Sequence, residues 1–266
     1  MLSNISIGQY FPSDSWVHKL DPRTKILITM VFVIAIFMAK SLASYCLVIA
    51  FVVLSIILSK LPLKLLWGAI KPLWIIIVFT MGIHIFTTPG IPILTYSFIN
   101  ITEEGVTMGA QMGVRLLCLI LFSSLLTFTT SPIRLTDGVE SLLKPFRRIG
   151  VPAHELAMMM TIALRFIPTL LEETDRIMKA QTSRGADFES GNILARIKNM
   201  VPLLVPLFIS AFRRADDLAV AMEARCYRGG EGRTRMKALD YGTQDLVAAG
   251  FVAILVLALV LMYVIL

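Results

Sequence analysis

The sequence predicts an all-α polytopic membrane protein with about five transmembrane helices, in a range of four to six, and a helical cytoplasmic domain. The chain has 266 residues, of which 56% are hydrophobic and only 16% are charged. A soluble domain would be expected to contain roughly 25% charged residues. Long apolar runs recur along the chain, and the basic residues collect between them. These observations exclude a soluble globular protein.

Five apolar runs account for the membrane part of the chain. The first two are separated only by Lys40-Ser41, and each is shorter than the roughly 20 residues that a straight span requires. They predict two short helices in a tight hairpin, or alternatively a re-entrant pair. A loop is predicted over residues 87–104, where Pro89-Gly90 is a turn signal. The five runs are residues 26–39, 41–58, 72–86, 105–129 and 244–266.

The distribution of Lys and Arg predicts the orientation of the chain. If the amino terminus is cytoplasmic, 23 of the 25 basic residues fall on the cytoplasmic side, as the positive-inside bias requires. The chain then divides into a membrane domain with four spans (residues 1–130), a cytoplasmic domain (131–243) and a last span (244–266). The net charge of +7 would permit nucleic-acid binding, but this placement of the basic residues explains the charge better.

Two predicted helices of the cytoplasmic domain end in the same way. The first covers about residues 169–185 and the second about residues 204–226, and each has an apolar face with polar residues opposite. An arginine at a helix C-terminus complements the helix dipole, which is worth about 0.3 to 1 kcal/mol. A matched pair also indicates a second use, because an exposed guanidinium can bind carboxylates of another protein. The two ends are Ser183-Arg184-Gly185 and Ala224-Arg225-Cys226.

The apolar faces of these two helices are candidate packing or docking surfaces. Their positions recur at the three- and four-residue spacing of one helical face. They include Leu170, Ile177 and Met178 on the first helix, and Phe208, Leu218 and Met222 on the second.

No catalytic or metal site is predicted. The sequence contains no Gly-Lys dipeptide and therefore no phosphate-binding loop, and it contains neither a Gly-x-Ser-x-Gly nor a His-Glu-x-x-His motif. The three histidines, His18, His84 and His154, are far apart in the sequence.

Several motifs occur together, and in a characteristic order, between about residues 10 and 230. In this order they resemble the transmembrane T component of energy-coupling factor (ECF) vitamin transporters. The motifs are Asp14-Ser15 with His18-Lys19-Leu20-Asp21-Pro22-Arg23-Thr24-Lys25, Gly150-Val151-Pro152 with Glu155-Leu156, Ala163 to Pro168, and the two Arg-tipped helices.

The resemblance implies a subunit of a four-part, ATP-driven importer in the bacterial cell membrane. Its implied partners are two ATPase subunits, A and A′, and an S component that binds the vitamin. ATP would be used by the ATPases, and this chain would bind no cofactor. By motif position, each Arg tip would bind one ATPase, and the apolar faces would pack together or grip the S component. The subunit would pass a conformational change from the ATPases to the S component.

Two residues depart from the Ala-Arg-Gly pattern of that family. Ser183 replaces Ala and is small. Cys226 replaces Gly and adopts a left-handed helix end less readily, so the second helix is predicted to continue to Gly229-Gly230.

Two other classes compete with the T component. A conventional ABC permease, which conducts the substrate itself, would need polar residues facing a pore, and these are sparse beyond Arg115 and His84. A membrane enzyme would need a convergent acid, base or metal set. Arg115, inside the fourth span, is either structural, bonded to helix carbonyls or to His84, or part of a transport cycle.

Overall fold

The structure, a computed structural model, describes residues 10–96, 99–186, 188, 192–229 and 239–265. This part of the chain is helical except for one antiparallel hairpin, which lies in the region predicted to be a loop. Short 3-10 segments, Ile36–Met38 and Lys144–Ile149, follow α2 and α7. The elements in order are α1 (Trp16–Lys19), α2 (Pro22–Ala35), α3 (Leu42–Ser59), α4 (Leu63–Ile70), α5 (Trp74–Thr87), β1 (Pro92–Tyr96), β2 (Ile99–Thr102), α6 (Glu103–Thr129), α7 (Pro132–Leu143), α8 (Ala153–Ser183), α9 (Ile193–Ala224) and α10 (Thr243–Ile265).

The chain divides into two compact units. The membrane unit consists of Gly8–Leu142 and Ala238–Leu266. The inserted unit, Leu143–Lys237, contains α8 and α9. The inserted unit therefore interrupts the membrane unit before its last helix.

Four described helices, α3, α6, α8 and α10, are long and apolar enough to cross a membrane. The pair α4 and α5, bent by 55° at the break between them, would add a fifth if it forms one span. The predicted count is therefore confirmed, but the set of helices differs from the predicted one. α2 is only 14 residues long and does not qualify, whereas α8 belongs to the region predicted to be cytoplasmic.

α8 is the weakest of the four candidates. Its most apolar stretch has a mean hydropathy of 1.2, against 1.9 to 2.8 in the other three helices. The cytoplasmic location of residues 131–243 stays a prediction.

The core of the membrane unit lies among α2, α3, α6 and α10. Phe32 stacks on Phe122 with ring centroids 4.1 Å apart, and Phe51 lies 5.9 Å from Phe32. Ile36 and Val48 beside them are fully buried. Aromatic stacking of this kind adds about 0.5 to 1.5 kcal/mol per pair to the burial of apolar area.

Helices α5 and α6 pack closely through three glycines, Gly105, Gly109 and Gly113. A methyl group on Gly105 would lie 2.9 Å from the carbonyl oxygen of Ile85, and one on Gly109 would lie 3.0 Å from that of Met81. Glycines four residues apart allow helix backbones to approach in this way. This contact was not predicted, although the spacing of the glycines indicates it.

Helices α8 and α9 begin earlier than predicted. α8 starts at Ala153 rather than near residue 169, and α9 at Ile193 rather than near residue 204. Both continue through internal prolines, Pro168 in α8 and both Pro202 and Pro206 in α9. One proline costs a helix roughly 3 kcal/mol, but helices of 31 and 32 residues retain most of their hydrogen bonds.

The paired helix tips as candidate functional site

The helices α8 and α9 of the inserted unit are antiparallel. Residues late in α8 contact residues early in α9, and residues early in α8 contact residues at the end of α9. The contacts are Gln181 Nε2 donating to the Pro202 carbonyl (3.5 Å), the Arg214 guanidinium beside the Glu173 carboxylate (3.4 Å), and the Tyr227 hydroxyl beside His154 Nε2 (3.3 Å).

This arrangement places the two predicted tips at opposite ends of the helix pair. Arg184 follows the last residue of α8, whereas Arg225 follows the last residue of α9, beside the first turn of α8. At 1.5 Å per residue, a helix of this length separates its ends by about 45 Å. One small binding site cannot reach both arginines, so the geometry fits two separate binding sites.

The two tips have the same backbone conformation. Arg184 has φ −90° and ψ 7°, and Arg225 has φ −90° and ψ 13°. Each arginine is followed by a residue with positive φ, Gly185 at 87° and Cys226 at 56°. The next two amide groups donate to the carbonyls of the preceding turn in both tips. This pattern is the Schellman helix end.

The hydrogen bonds of the two tips correspond one to one. At the first tip, Gly185 N donates to Thr182 O (2.9 Å) and Ala186 N to Gln181 O (3.0 Å). At the second tip, Cys226 N donates to Glu223 O (2.8 Å) and Tyr227 N to Met222 O (3.0 Å).

The prediction that Cys226 would let the second helix continue to Gly229-Gly230 is wrong. α9 ends at Ala224, and Cys226 itself takes the left-handed conformation. A side chain there costs about 1 to 2 kcal/mol. Two hydrogen bonds to carbonyls that would otherwise be unpaired oppose that cost.

Both tips present their arginine to the surroundings. Arg184 and Arg225 are exposed, and neither guanidinium group forms a hydrogen bond or ion pair with the described residues. The small residues Ser183 and Ala224, which precede the arginines, are also exposed. The guanidinium groups are therefore available to carboxylates on another protein.

The predicted apolar residues of α8 and α9 differ in their exposure. Leu170, Ile177, Met178, Leu218 and Met222 are half-buried, whereas Phe208 is 60% exposed. The buried side of α9 is instead marked by Leu203, which is 8% exposed. Phe208 continues along an exposed apolar stripe whose other members are Ile197, Val201, Leu204 and Phe212.

The surroundings of Arg115 fit a structural role, which was one of the two alternatives for this residue. Its Nη2 atom donates to the Ala39 carbonyl (3.2 Å) and to the Tyr45 hydroxyl (2.9 Å), and its guanidinium lies 5.3 Å from the Phe37 ring centroid. These contacts join α6 to the end of the α2 segment and the start of α3. The partners are the carbonyl of Ala39, which caps the 3-10 segment, and the Tyr45 hydroxyl, rather than His84.

The first motif of the sequence, the lead-in at residues 14–25, is organised around His18. The Ser15 hydroxyl donates to His18 Nδ1 (2.6 Å), and His18 Nε2 donates to the Phe11 carbonyl (2.9 Å) in the neutral tautomer that these partners require. Burial lowers the pKa of His18 below its usual value of 6.5, and the positive charge of Lys25 adds to this effect. The neutral ring therefore holds the segment from Phe11 to His18 in a fixed conformation.

Lys25 ties the lead-in to the end of α6. Its Nζ atom donates to the Thr129 carbonyl (2.9 Å) and to Thr130 Oγ1 (3.3 Å), and the Phe11 amide donates to the Phe128 carbonyl (3.0 Å). The motif that carries the family resemblance is thus a helix-joining network. Sequence patterns could not predict it, because its partners are about a hundred residues away.

The two units define a polytopic helical membrane protein with a helical unit inserted before its last helix. The chain belongs to the CbiQ family, whose model is described as a cobalt transport protein and matches residues 13–236.

Similar proteins carry a more specific name. One from Acidaminococcus fermentans is 65% identical over 92% of this chain and 91% of its own length. Others come from Clostridium kluyveri, 55% identical over 94% of this chain and 93% of its own length, and from Bacillus subtilis, 47% identical over 99% of both chains. Each is named as an energy-coupling factor transporter transmembrane protein, EcfT.

Proposed function

We propose that this chain is the coupling subunit of an ATP-driven ECF-type vitamin importer in the bacterial cell membrane. It joins two ATPase subunits, A and A′, to an S component that binds the vitamin. It catalyses no reaction and binds no cofactor, and ATP is used by the ATPases. The amino terminus and the inserted unit lie in the cytoplasm.

The paired Arg tips carry this proposal. Two helix ends with matching hydrogen bonds, exposed and at opposite ends of one helix pair, fit two similar partners better than one. Each ATPase would receive one tip, with the guanidinium bound by carboxylates in a groove. Closure of the ATPases on ATP would then move the two ends of the α8–α9 pair relative to each other.

The exposed stripe of α9 is proposed to contact the S component. Phe208 and Phe212 are 60% and 68% exposed, although both are large and apolar. Contiguous exposed apolar surface of this kind is typical of interaction sites. Leu218 and Met222 are half-buried, and they would hold the helix pair in register.

A conventional permease fits the membrane unit less well. Two grooves of about 520 and 720 Å³ in that unit are lined mostly by apolar side chains. The charged residues Lys25 and Asp245 line one groove each, and both are held by hydrogen bonds within the fold. The names of the relatives also favour the coupling subunit over the permease.

The test is affinity purification of the tagged chain from detergent-solubilised membranes, followed by mass spectrometry of the proteins that accompany it. The expected result is two ATPases and at least one small membrane protein that binds a vitamin. Recovery of the chain alone, from membranes that supported ATP-dependent vitamin uptake before they were solubilised, would refute the proposal.

A further inference from the structure

The inserted unit is joined to the membrane unit by two chain segments, and both segments contact the first turn of α2. The chain leaves the membrane unit after Leu142, within the last turn of α7, and returns at Ala238. α7 up to that point and the return segment, residues 239–245, belong to the membrane unit. Both lie against the turn formed by Asp21, Pro22 and Arg23.

The outgoing segment packs tightly on this turn. A methyl group on Gly138 of α7 would lie 3.1 Å from Pro22 Cβ and 3.2 Å from Ile26 Cδ1. No side chain fits between α7 and the start of α2, so α7 is seated directly on α2 just before the chain leaves the unit.

The return segment is held by charged hydrogen bonds. Arg23 Nη2 donates to the Leu239 carbonyl (2.7 Å), and its guanidinium lies 4.8 Å from the centroid of the Tyr241 ring. The Asp245 carboxylate accepts from the amides of Asp21 and Gly242, both at 2.8 Å.

The carboxylates of this group are also closed to water. Asp21 and Asp245 are only 5% and 6% exposed, and Asp21 Oδ1 caps α2 by accepting from the Arg23 amide (2.8 Å). A buried charge network is weak evidence for stability, because apolar residues often stabilise as well. The network instead fixes the positions of the groups it joins, because charge-assisted hydrogen bonds constrain both the distance and the direction between them.

We propose that Asp21, Arg23 and Asp245, which we call the α2 clamp, transmit movement of the inserted unit to α2 and α10. With the clamp closed, both connecting segments are fixed to one turn, so movement of the inserted unit that reaches these segments is passed to that turn. With the clamp open, the return segment becomes a flexible linker that absorbs the movement. The three are positioning residues, and the proposal rests on the proposed coupling function.

The test is amide hydrogen exchange in the complete purified complex, with and without magnesium and a non-hydrolysable ATP analogue. In the native complex, the analogue is expected to change exchange in α8 and α9 and also in α2 and α10. In Arg23→Ala and Asp245→Ala, which each remove one hydrogen bond of the clamp, the change in α8 and α9 remains and the change in α2 and α10 is lost. If the clamp residues only stabilised the fold, the variants would change amide exchange by the same amount with and without the ATP analogue.

Two matched controls accompany these variants. Tyr241→Phe keeps the ring beneath the guanidinium, and Lys19→Ala removes an exposed lead-in cation that pairs with Asp14 at 3.1 Å. Both controls should respond to the analogue like the native chain.

The proposal is overturned if α2 and α10 still respond in Arg23→Ala and Asp245→Ala, or if they do not respond in the native complex. If one of the two variants fails to assemble, the other decides alone, because each removes a different hydrogen bond between the return segment and the first turn of α2. If the ATPases are absent from the native preparation, this is seen before any nucleotide is added. That outcome refutes the proposed function and not the role of the clamp.

Discussion

Gly185 and Cys226 occupy equivalent positions at the ends of α8 and α9. Each follows an arginine with φ −90°, and each donates its amide to a carbonyl three residues earlier. The difference is that Gly185 takes φ 87° without a side chain, whereas Cys226 holds a side chain at φ 56°. The second tip is therefore the more strained of two otherwise matching ends.

The first prediction concerns this strain. Gly185→Ala should weaken the first tip and Cys226→Gly should strengthen the second, each by about 1 kcal/mol, or roughly fivefold in the local opening equilibrium. Amide exchange of Ala186 and Tyr227, which donate the outer hydrogen bonds, measures these changes. Equal exchange in the native chain and in both variants would contradict the assignment of the strain.

A second prediction concerns the guanidinium groups. Arg184→Glu or Arg225→Glu should weaken binding of the ATPases by about 2 kcal/mol or more, about thirtyfold, because a carboxylate would face the carboxylates of the groove. Uptake should be abolished while the protein remains inserted in the membrane. The measurement is the amount of ATPase that copurifies with the tagged chain.

Charge reversal away from the tips provides the control for that experiment. Arg176→Glu in α8 and Arg213→Glu in α9 change exposed residues on the same helices. Both should retain the ATPases at the native level. Normal uptake in both tip variants would rule out the role assigned to the arginines.

A third prediction separates the two faces of α9. Phe208→Glu places a charge on the exposed stripe, so it should leave the α8–α9 pair folded and reduce copurification of the S component. Leu203→Glu places a charge at a site that is 8% exposed, which should disrupt the helix pair itself. Copurification and proteolytic resistance of the inserted unit distinguish the two effects. If the S component remained at native yield with Phe208→Glu, the stripe would not be its docking surface.

A fourth prediction concerns the glycines between α5 and α6. In Gly105→Ala the added methyl group meets the Ile85 carbonyl at 2.9 Å, so the helices must separate, at a cost of about 1 to 3 kcal/mol. In Gly113→Ala it meets Met81 Sδ at 2.6 Å, and a flexible thioether can move away. Gly105→Ala should therefore lower the thermal midpoint of the purified protein more than Gly113→Ala does.

Gly82→Ala is the matched control on α5, because nothing lies within 4 Å of the added carbon atom. It should be neutral or slightly stabilising, since alanine favours the helix. A larger loss of stability in Gly82→Ala than in Gly105→Ala would contradict the close contact.

Much of the fold was predictable because its signals are local. Mean hydropathy and the placement of Lys and Arg indicated a polytopic helical protein, and the repeated Arg motif located the first tip at the residue level. The helix starts were missed because the apolar faces identified from about residues 170 and 204 cover only the later part of each helix, and both helices continue through their internal prolines. The left-handed conformation of Cys226 was missed because intrinsic preference favoured glycine, while two capping hydrogen bonds outweighed it.

Composition, apolar periodicity and short motifs were sufficient to establish a helical membrane protein with two arginine-ended helices. Only the folded structure showed how far apart those ends lie. It also showed that Arg115 bonds to Ala39 and Tyr45, and that both connecting segments pack on the first turn of α2. The physical reason is that hydrophobicity and capping act over a few neighbouring residues. Antiparallel packing and the contact of Asp21 with Asp245 instead depend on which distant segments the folded chain brings together.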